Sequence, residues 1–384
     1  MVTISKEVRK DPMYLFLLML VISAAVSFQG WRTLYSNFAV DVIGINGFQN
    51  GIVQAVREIP GFLSFAVVFL LLFLKENQIG YLSVLLLALG VMITGFFPSF
   101  TGLIVTTFIM SVGFHYYETV NQSLTLQSFN LKTAPLVLAK LRSIMSIANV
   151  LIGAAIIGLA YILPLKWIYV VLGGSVLILV VYTIFKFPAR EPEIKQHKRI
   201  ILKKRYWLFY LLNFLSGARR QIFVVFALFM LVEKYHFSVQ QIALLYAVNN
   251  LITWQLNPYI GKWINKFGER KVLSMEYMSL IFVFIGYAFI EEPIIVALLY
   301  IVDHIFFGFS IGIKTFFQKT ADPKDIAPSM ATGFTINHIM AVFMPVVGGA
   351  LWIWNWRLPF LVGSGIAVTS LIFAQYIRVP EEQE

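Results

Sequence analysis

The sequence predicts an all-α integral membrane protein of twelve transmembrane helices in two pseudo-symmetric six-helix bundles. Three observations carry this expectation. Hydrophobic residues make up 59% of the 384 and charged residues 13%, with a mean hydropathy of +0.79, far from the mix of a soluble domain. The apolar residues fall in runs near the roughly 20 that cross a hydrocarbon core as a helix, without the period-two alternation of barrel strands. The basic residues behind the net charge of +11 gather in alternate connections: Lys6, Arg9 and Lys10, then Arg190, Lys195, Lys198, Arg199, Lys203, Lys204 and Arg205, then Lys262, Lys266, Arg270 and Lys271. That is the positive-inside pattern, so these loops are read as cytoplasmic, and nucleic acid is excluded as a partner.

The segment Met1 to Pro12 is polar and basic and leads into the apolar run Tyr14 to Phe28, with Ala24, Ala25 and Ser27 near its end. It has the shape of a signal peptide, but the many apolar runs that follow make it an uncleaved first span. Cutting at charge clusters and at Pro and Gly places spans near 13–36, 47–74, 79–97, 100–128, 142–163 and 167–187, and then near 206–232, 238–260, 271–290, 294–318, 328–353 and 357–377. The even number puts both termini in the cytoplasm, in keeping with Arg378 inside and Glu291 and Glu292 outside. A bacterial inner membrane is the expected location. Cysteine is absent, so disulfides, thiolate nucleophiles and cysteine metal sites are excluded. No cofactor or metal is expected.

The one long polar connection falls at the midpoint and divides the chain into an N-terminal bundle (1–187), a basic cytoplasmic linker (188–205) and a C-terminal bundle (206–384). The halves align at a constant offset of 191: Gln127 on Gln318, Gly158 on Gly349, Tyr161 on Trp352, Lys166 on Arg357 and Gly174 on Gly365. Gly30 and Arg32 face Gly217 and Arg219 at a slightly different offset, as a change in loop length produces. Internal duplication with six spans per half is the architecture of transporters whose site lies at the repeat interface near the midplane.

The loop after span 8 reads Gly261-Lys-Trp-Ile-Asn265-Lys266-Phe-Gly268-Glu-Arg270-Lys271. It resembles the cytoplasmic loop signature of the major facilitator superfamily, with Asn265 in place of the usual Asp and Glu269 in place of a basic residue. The first-half counterpart, Phe73-Leu-Lys75-Glu76-Asn77-Gln78-Ile-Gly80, is short and degenerate. With the twelve spans, the basic linker and the repeat, the resemblance covers nearly the whole chain. It implies two helical bundles, with spans 1, 4, 7 and 10 lining a central cavity that opens alternately to each side, and a monomeric protein. Span 4 lacks the arginine common in proton-coupled drug exporters. Span 5 lacks the Pro-x-x-Gly-Gly kink of drug antiporters, a shape found instead at Pro345-Val-Val-Gly348-Gly349.

The four helices that this implies as lining are polar. Span 1 carries Gln29, Arg32 and Ser36, and span 4 carries Ser111, His115, Glu118 and Gln122 at helical spacing. Span 7 carries Asn213, Gly217, Arg219, Arg220 and Gln221; span 10 carries Asp303, His304, Ser310 and Lys314. Span 2 adds Asn50, Gln54, Arg57 and Glu58, span 8 adds Asn249, Asn250 and Asn257, and span 11 adds Asn337 and His338. Each charge at mid-bilayer depth costs about 2.5–3.5 kcal/mol on insertion scales, so the adjacent Arg219 and Arg220 require a protein, water or anion neighbour. Two readings stand for them: recognition of an anionic group by the forked guanidinium, or a structural ion pair with Glu118, Glu58 or Asp303.

These residues support a membrane transporter for a small anionic or zwitterionic organic solute, acting by alternating access with proton coupling. Arg32, Arg219, Arg220, Gln29, Asn213, Gln221 and Gln122 are the expected solute-binding residues. Glu118, His115, Asp303, His304, Glu58 and Arg57 are the expected proton-coupling residues. Gly261, Asn265, Lys266, Gly268, Arg270 and Lys271 form the expected gating loop. The basic excess of the intramembrane residues carries the anionic preference. No Gly-rich phosphate loop is present, which removes a nucleotide-driven pump. The competing readings are a drug/proton efflux antiporter and, in another class, an intramembrane lipid-modifying enzyme using a buried His and a carboxylate.

Overall fold

The computed structural model describes residues 5–63, 66–70, 73–129, 133–187, 202–322 and 325–379. Of the expected linker, only residues 202–205 are among them. The regular elements of the described residues are helices, as the length and apolarity of the runs require: in a hydrocarbon interior each backbone N–H and C=O must be satisfied within its own segment.

Asp11 ends the short α1 (Lys6–Lys10) and caps α2 (Pro12–Asn37), its carboxylate accepting from the Met13 N–H at 2.7 Å with Pro12 at the first helical position. The rod then widens into a π-helical turn, Phe38–Ile43, and stops at Gly44 in the left-handed region, φ 75°. There follow α3 (Gly47–Phe62), α4 (Val67–Leu70), α5 (Glu76–Thr94), α6 (Phe100–Ser128), α7 (Ala134–Ile162) and α8 (Leu165–Lys186). The second half repeats the plan. A 3-10 turn (Lys204–Tyr206) opens α9 (Trp207–Ile222), which passes through a second π-helical turn (Phe223–Ala227) into α10 (Leu228–Glu233). The π turns thus fall in the later parts of spans 1 and 7, the same place in each repeat. Then come α11 (Val239–Phe267), α12 (Glu269–Phe289), α13 (Pro293–Phe307), a 3-10 turn (Gly308–Ser310), α14 (Ile311–Thr320), α15 (Ile326–Trp354) and α16 (Leu358–Ala374).

Among the described residues nine helical rods are long and apolar enough to cross a membrane, and Leu358–Ala374 is a shorter apolar helix. The other two expected spans correspond to α3 with α4, and to α11. α3 is 16 residues long, short of the length that crosses a hydrocarbon core, and α11 carries the polar Asn249, Asn250 and Lys262.

Packing divides the chain into two compact units, one of Met1–Ile45, Val56–Gln196 and Ser238–Leu251, the other of Asn46–Ala55, His197–Phe237 and Ile252–Glu384. The first residues of α3 therefore belong with the second unit, and the first residues of α11 with the first. Helices in lipid gain little from apolar burial against one another, so close packing of backbones over small residues takes its place. In the first unit a side chain at Gly113 of α6 would collide with the backbone of Ser83 and Leu87 on α5. In the second unit a Cβ at Gly217 of α9 would lie 2.6 Å from the Asn337 carbonyl oxygen of α15. There the Asn337 side-chain amide donates to the Asn213 carbonyl at 3.1 Å, tying the two helices at the point of closest approach. An aromatic cluster of Tyr206, Phe209, Tyr277 and Phe317 fills the adjoining core, with Phe209 and Phe317 stacked at 4.0 Å.

Candidate functional site

Three of the most deeply buried charged residues of the second unit are Arg219, Glu276 and Asp303. Arg219 stands on the last turn of α9, where its Nη2 donates to Oε1 of Glu276 on α12 at 2.5 Å, with side-chain exposures of 2% and 0%. The guanidinium lies 4.9 Å from the centre of the Tyr277 ring, a cation–π contact that replaces part of its lost hydration. Asp303 of α13, 2% exposed, lies within electrostatic reach of both Arg219 and Glu276, and the Tyr287 hydroxyl of α12 faces its carboxyl. The sequence reading offered Glu118, Glu58 or Asp303 as the partner of the arginine pair; the hydrogen-bonded partner of Arg219 is Glu276. That residue escaped notice because it sits on span 9, outside the four helices expected to be polar. A carboxylate five residues inside an apolar run was the available signal.

His304, next to Asp303 in sequence, points elsewhere, its ring 6.3 Å from that of Phe223, as neighbouring positions on a helix must. Gln221 is buried. Arg220 is half-buried, on the same turn as Arg219. Asn213 donates its amide to the Phe209 carbonyl one turn back at 2.8 Å.

In the first unit Arg57 and Glu58, neighbours on α3, pair at 2.5 Å with both side chains buried. The Ser111 hydroxyl of α6 donates to the Arg57 carbonyl. One turn further along α6, His115 is buried, whereas Glu118 and Gln122 are exposed. Gln29 is buried and donates to the Thr33 hydroxyl at 3.2 Å. Arg32 is half-buried, with its guanidinium 4.9 Å from the Tyr246 ring and 5.7 Å from Phe28. Phe28 in turn stacks on Phe114 at 3.7 Å. Arg32 is thus held among aromatic faces, while Arg57 is held by a carboxylate.

In the second unit the signature-like loop turns at Gly268, φ 79°, a conformation that favours glycine. Lys266, Arg270 and Lys271 are exposed, and the Asn265 side chain and the surroundings of Gly261 lie outside the described features. The buried residue of the loop is Glu269, where the family pattern has a basic one; it pairs with Lys319 of α14 at 2.8 Å. Close by in sequence order, Asp325 draws the linker end onto the head of α15. It accepts from Lys203 Nζ at 2.7 and 2.8 Å, from Arg205 at 2.6 Å and from the Tyr206 hydroxyl at 2.6 Å. The Lys203 hydrogen bonds, then those of Tyr206 and Arg205, hold its carboxyl below the ordinary aspartate range.

Residues 20–340 and 209–384 match the family model of the Major Facilitator Superfamily. The chain belongs to that family, and its helical rods follow the family's fold. No curated protein matches the chain by sequence. Among solved structures it is similar to the nucleoside transporter NupG, with a TM-score of 0.77 at 14% identity, covering 95% of this chain and 98% of that one. It is also similar to a bacterial homolog of the human lysosomal transporter Spinster in an inward-facing, occupied conformation, with a TM-score of 0.74 at 12% identity and 97% coverage of both chains. At such identities the likeness carries the fold alone. Family and fold together identify an integral membrane transporter of small molecules rather than an enzyme.

Proposed function

We propose that this facilitator-family chain moves a small anionic or zwitterionic organic solute by alternating access, in symport or exchange with protons, as a monomer in a bacterial inner membrane with both termini in the cytoplasm. The observation that supports this most is a charge balance. With Glu276 counted, the intramembrane arginines Arg32, Arg57, Arg219 and Arg220 are matched in number by Glu58, Glu118, Glu276 and Asp303. Arg57 and Arg219 are already engaged by carboxylates. A basic excess therefore exists only when a carboxylate is protonated, and that excess is what an anionic solute neutralises. Proton and solute then favour each other's binding by charge alone.

In this reading Arg32 and Arg220 meet the solute's anionic group, with Gln29, Gln221, Asn213 and Gln122 as polar neighbours. Arg219 serves the coupling cluster. Asp303, Glu118 and Glu58 are the carboxylates available for proton transfer, with His115, His304 and Arg57 adjusting their charge. The loop around Gly268 acts in gating through Glu269 and Lys319, with Gly261, Asn265, Lys266, Arg270 and Lys271 around it.

The test is uptake by the purified protein in proteoliposomes, under pH gradients of either sign, of labelled carboxylates, amino acids, organic phosphates and nucleosides. Gradient-driven accumulation of an anionic or zwitterionic probe, reduced by Arg220→Ala, is expected. Accumulation of organic cations alone, or of neutral nucleosides without regard to the pH gradient, would contradict the reading.

A further inference from the structure

The linker reaches the second unit through three consecutive basic residues, of which Lys203 and Arg205 turn to Asp325. Lys204 between them is exposed, and its side chain has no ionic or hydrogen-bonding partner among the described residues. The Trp207 N–H donates to the Lys204 carbonyl, so this cation stands one 3-10 turn ahead of an indole that is 49% exposed. The rings of Phe373 and Tyr376, at the end of α16, lie 6.2 and 6.4 Å from that of Trp207 and 6.1 Å from each other. Tyr376 is 60% exposed. One buried cluster fixes this aromatic platform from behind, because Tyr206, just before Trp207, and Ile377, just after Tyr376, are both part of it. Ile377 thereby holds the exposed Arg378 at the same end of the unit. Gln375 donates to the Ser274 hydroxyl of α12 at 2.9 Å, and that hydroxyl donates to the Arg270 carbonyl at 2.7 Å. The first turn of α12, with Arg270 exposed, therefore adjoins the platform. Like Lys204, Arg378 and Arg270 have no ionic partner among the described residues, and the neighbouring carboxylates Asp325 and Glu269 are already engaged by Lys203, Arg205 and Lys319.

Exposed tryptophan and tyrosine rings, with an apolar body and a polar tip, settle at headgroup depth. Beyond the platform the same faces are apolar: Ile372 and Val368 lie one and two turns back along α16, Phe214 lies two turns on along α9, and all three are exposed. Uncompensated cations at one end and exposed apolar side chains running from it match one ligand chemistry, a phosphate joined to acyl chains. We propose that this end of the second unit binds one anionic phospholipid from the leaflet on the linker side. Lys204, Arg378 and Arg270 hold its phosphate, Trp207, Phe373 and Tyr376 support its glycerol region, and its chains follow the exposed faces of α9 and α16. A zwitterionic lipid brings its own cation to the phosphate and leaves the three basic residues unneutralised, so the site selects for net negative charge. The proposal needs only an integral membrane protein, and it stands or fails apart from the solute and the proton coupling.

The experiment is native mass spectrometry of the full-length protein released from mixed micelles that contain equal amounts of dioleoyl phosphatidylglycerol and dioleoyl phosphatidylcholine. The wild type is expected to retain one phosphatidylglycerol in preference to phosphatidylcholine. Lys204→Gln and Arg378→Gln are each expected to lower that retention about fivefold, and the double variant to lose the preference. Trp207→Ala is expected to weaken retention with all three charges in place. Lys6→Gln/Lys10→Gln removes two exposed charges from the first unit and is expected to retain the lipid as the wild type does. Thermal midpoints in detergent without lipid are expected to be the same for the wild type and the charge variants, since the replaced side chains are exposed. Equal retention of the two lipids by the wild type, undiminished retention in Lys204→Gln/Arg378→Gln, or an equal loss in Lys6→Gln/Lys10→Gln would overturn the proposal.

Discussion

Arg219 and Glu276 meet at 2.5 Å between α9 and α12 with almost no exposure, and the rest of the coupling argument hangs on this pair. Removing one member of a buried ion pair leaves a charge with nothing to balance it, typically at a cost of about 3–5 kcal/mol, whereas replacing both by apolar residues is often close to neutral. Arg219→Leu is therefore expected to destabilise the protein by about 3–5 kcal/mol, and Arg219→Leu/Glu276→Leu to recover most of that loss. Equilibrium unfolding in mixed detergent micelles measures both. Equal losses in the single and double variants would show that the pair is not coupled.

Two helical glycines make a matched test of the packing. At Gly217 a methyl would meet the Asn337 carbonyl oxygen at 2.6 Å, while at Gly174 of α8 nothing lies within 4 Å. Gly217→Ala is expected to cost about 1–3 kcal/mol through overpacking. Gly174→Ala is expected to stabilise by roughly 0.5–1 kcal/mol, because alanine holds a helix better than glycine. Thermal midpoints of the two variants shifting in the same direction would contradict the described approach of α9 to α15.

The linker contact at Asp325 is sensitive to acid. Its carboxyl is held below the ordinary value by Lys203, Tyr206 and Arg205, so the folded state binds the proton less readily than the unfolded state. The contact's contribution is then fully present above about pH 5, beyond the unfolded aspartate value. It declines as the pH falls below about 4 toward the folded value. Thermal midpoints of the wild type and Asp325→Asn are expected to differ at neutral pH and to converge on acidification. A gap that widens with acid would refute the assignment.

The spans were readable because length, apolarity and alternating basic loops are properties of single segments. Spans 2 and 8 were placed, despite their polarity, by the charge clusters and the Pro and Gly residues that bound them. The π-helical turns at Phe38–Ile43 and Phe223–Ala227 were not readable, since neither stretch contains Gly or Pro to mark it. The same limit governed the site. Arg219, Arg220 and Asp303 stood out as charges inside apolar runs, but which carboxylate meets Arg219 depends on how α9 crosses α12, and no spacing within one helix encodes that. Glu269 looked like a departure from a loop pattern; burial against Lys319 gives it a structural role.

Arg220 separates solute recognition from coupling. A charge-assisted hydrogen bond to an anionic group contributes about 1.5–3 kcal/mol, so Arg220→Ala is expected to weaken binding of an anionic solute on the order of 10- to 100-fold. The pH dependence of the residual transport should stay as in the wild type. Ligand-induced thermal stabilisation measures the affinity. An unchanged affinity together with an altered pH profile would move Arg220 from the solute to the proton machinery.

The claim at the centre of this account is that solute movement carries protons through Asp303. Its most direct measurement is the internal pH of proteoliposomes, followed with a trapped dye, when a transported solute is added without any imposed gradient. Wild-type vesicles are expected to change internal pH as the solute crosses, and Asp303→Asn vesicles to exchange labelled solute with no pH change. A pH response of equal size in Asp303→Asn, or solute accumulation in the wild type with no proton movement, would contradict it.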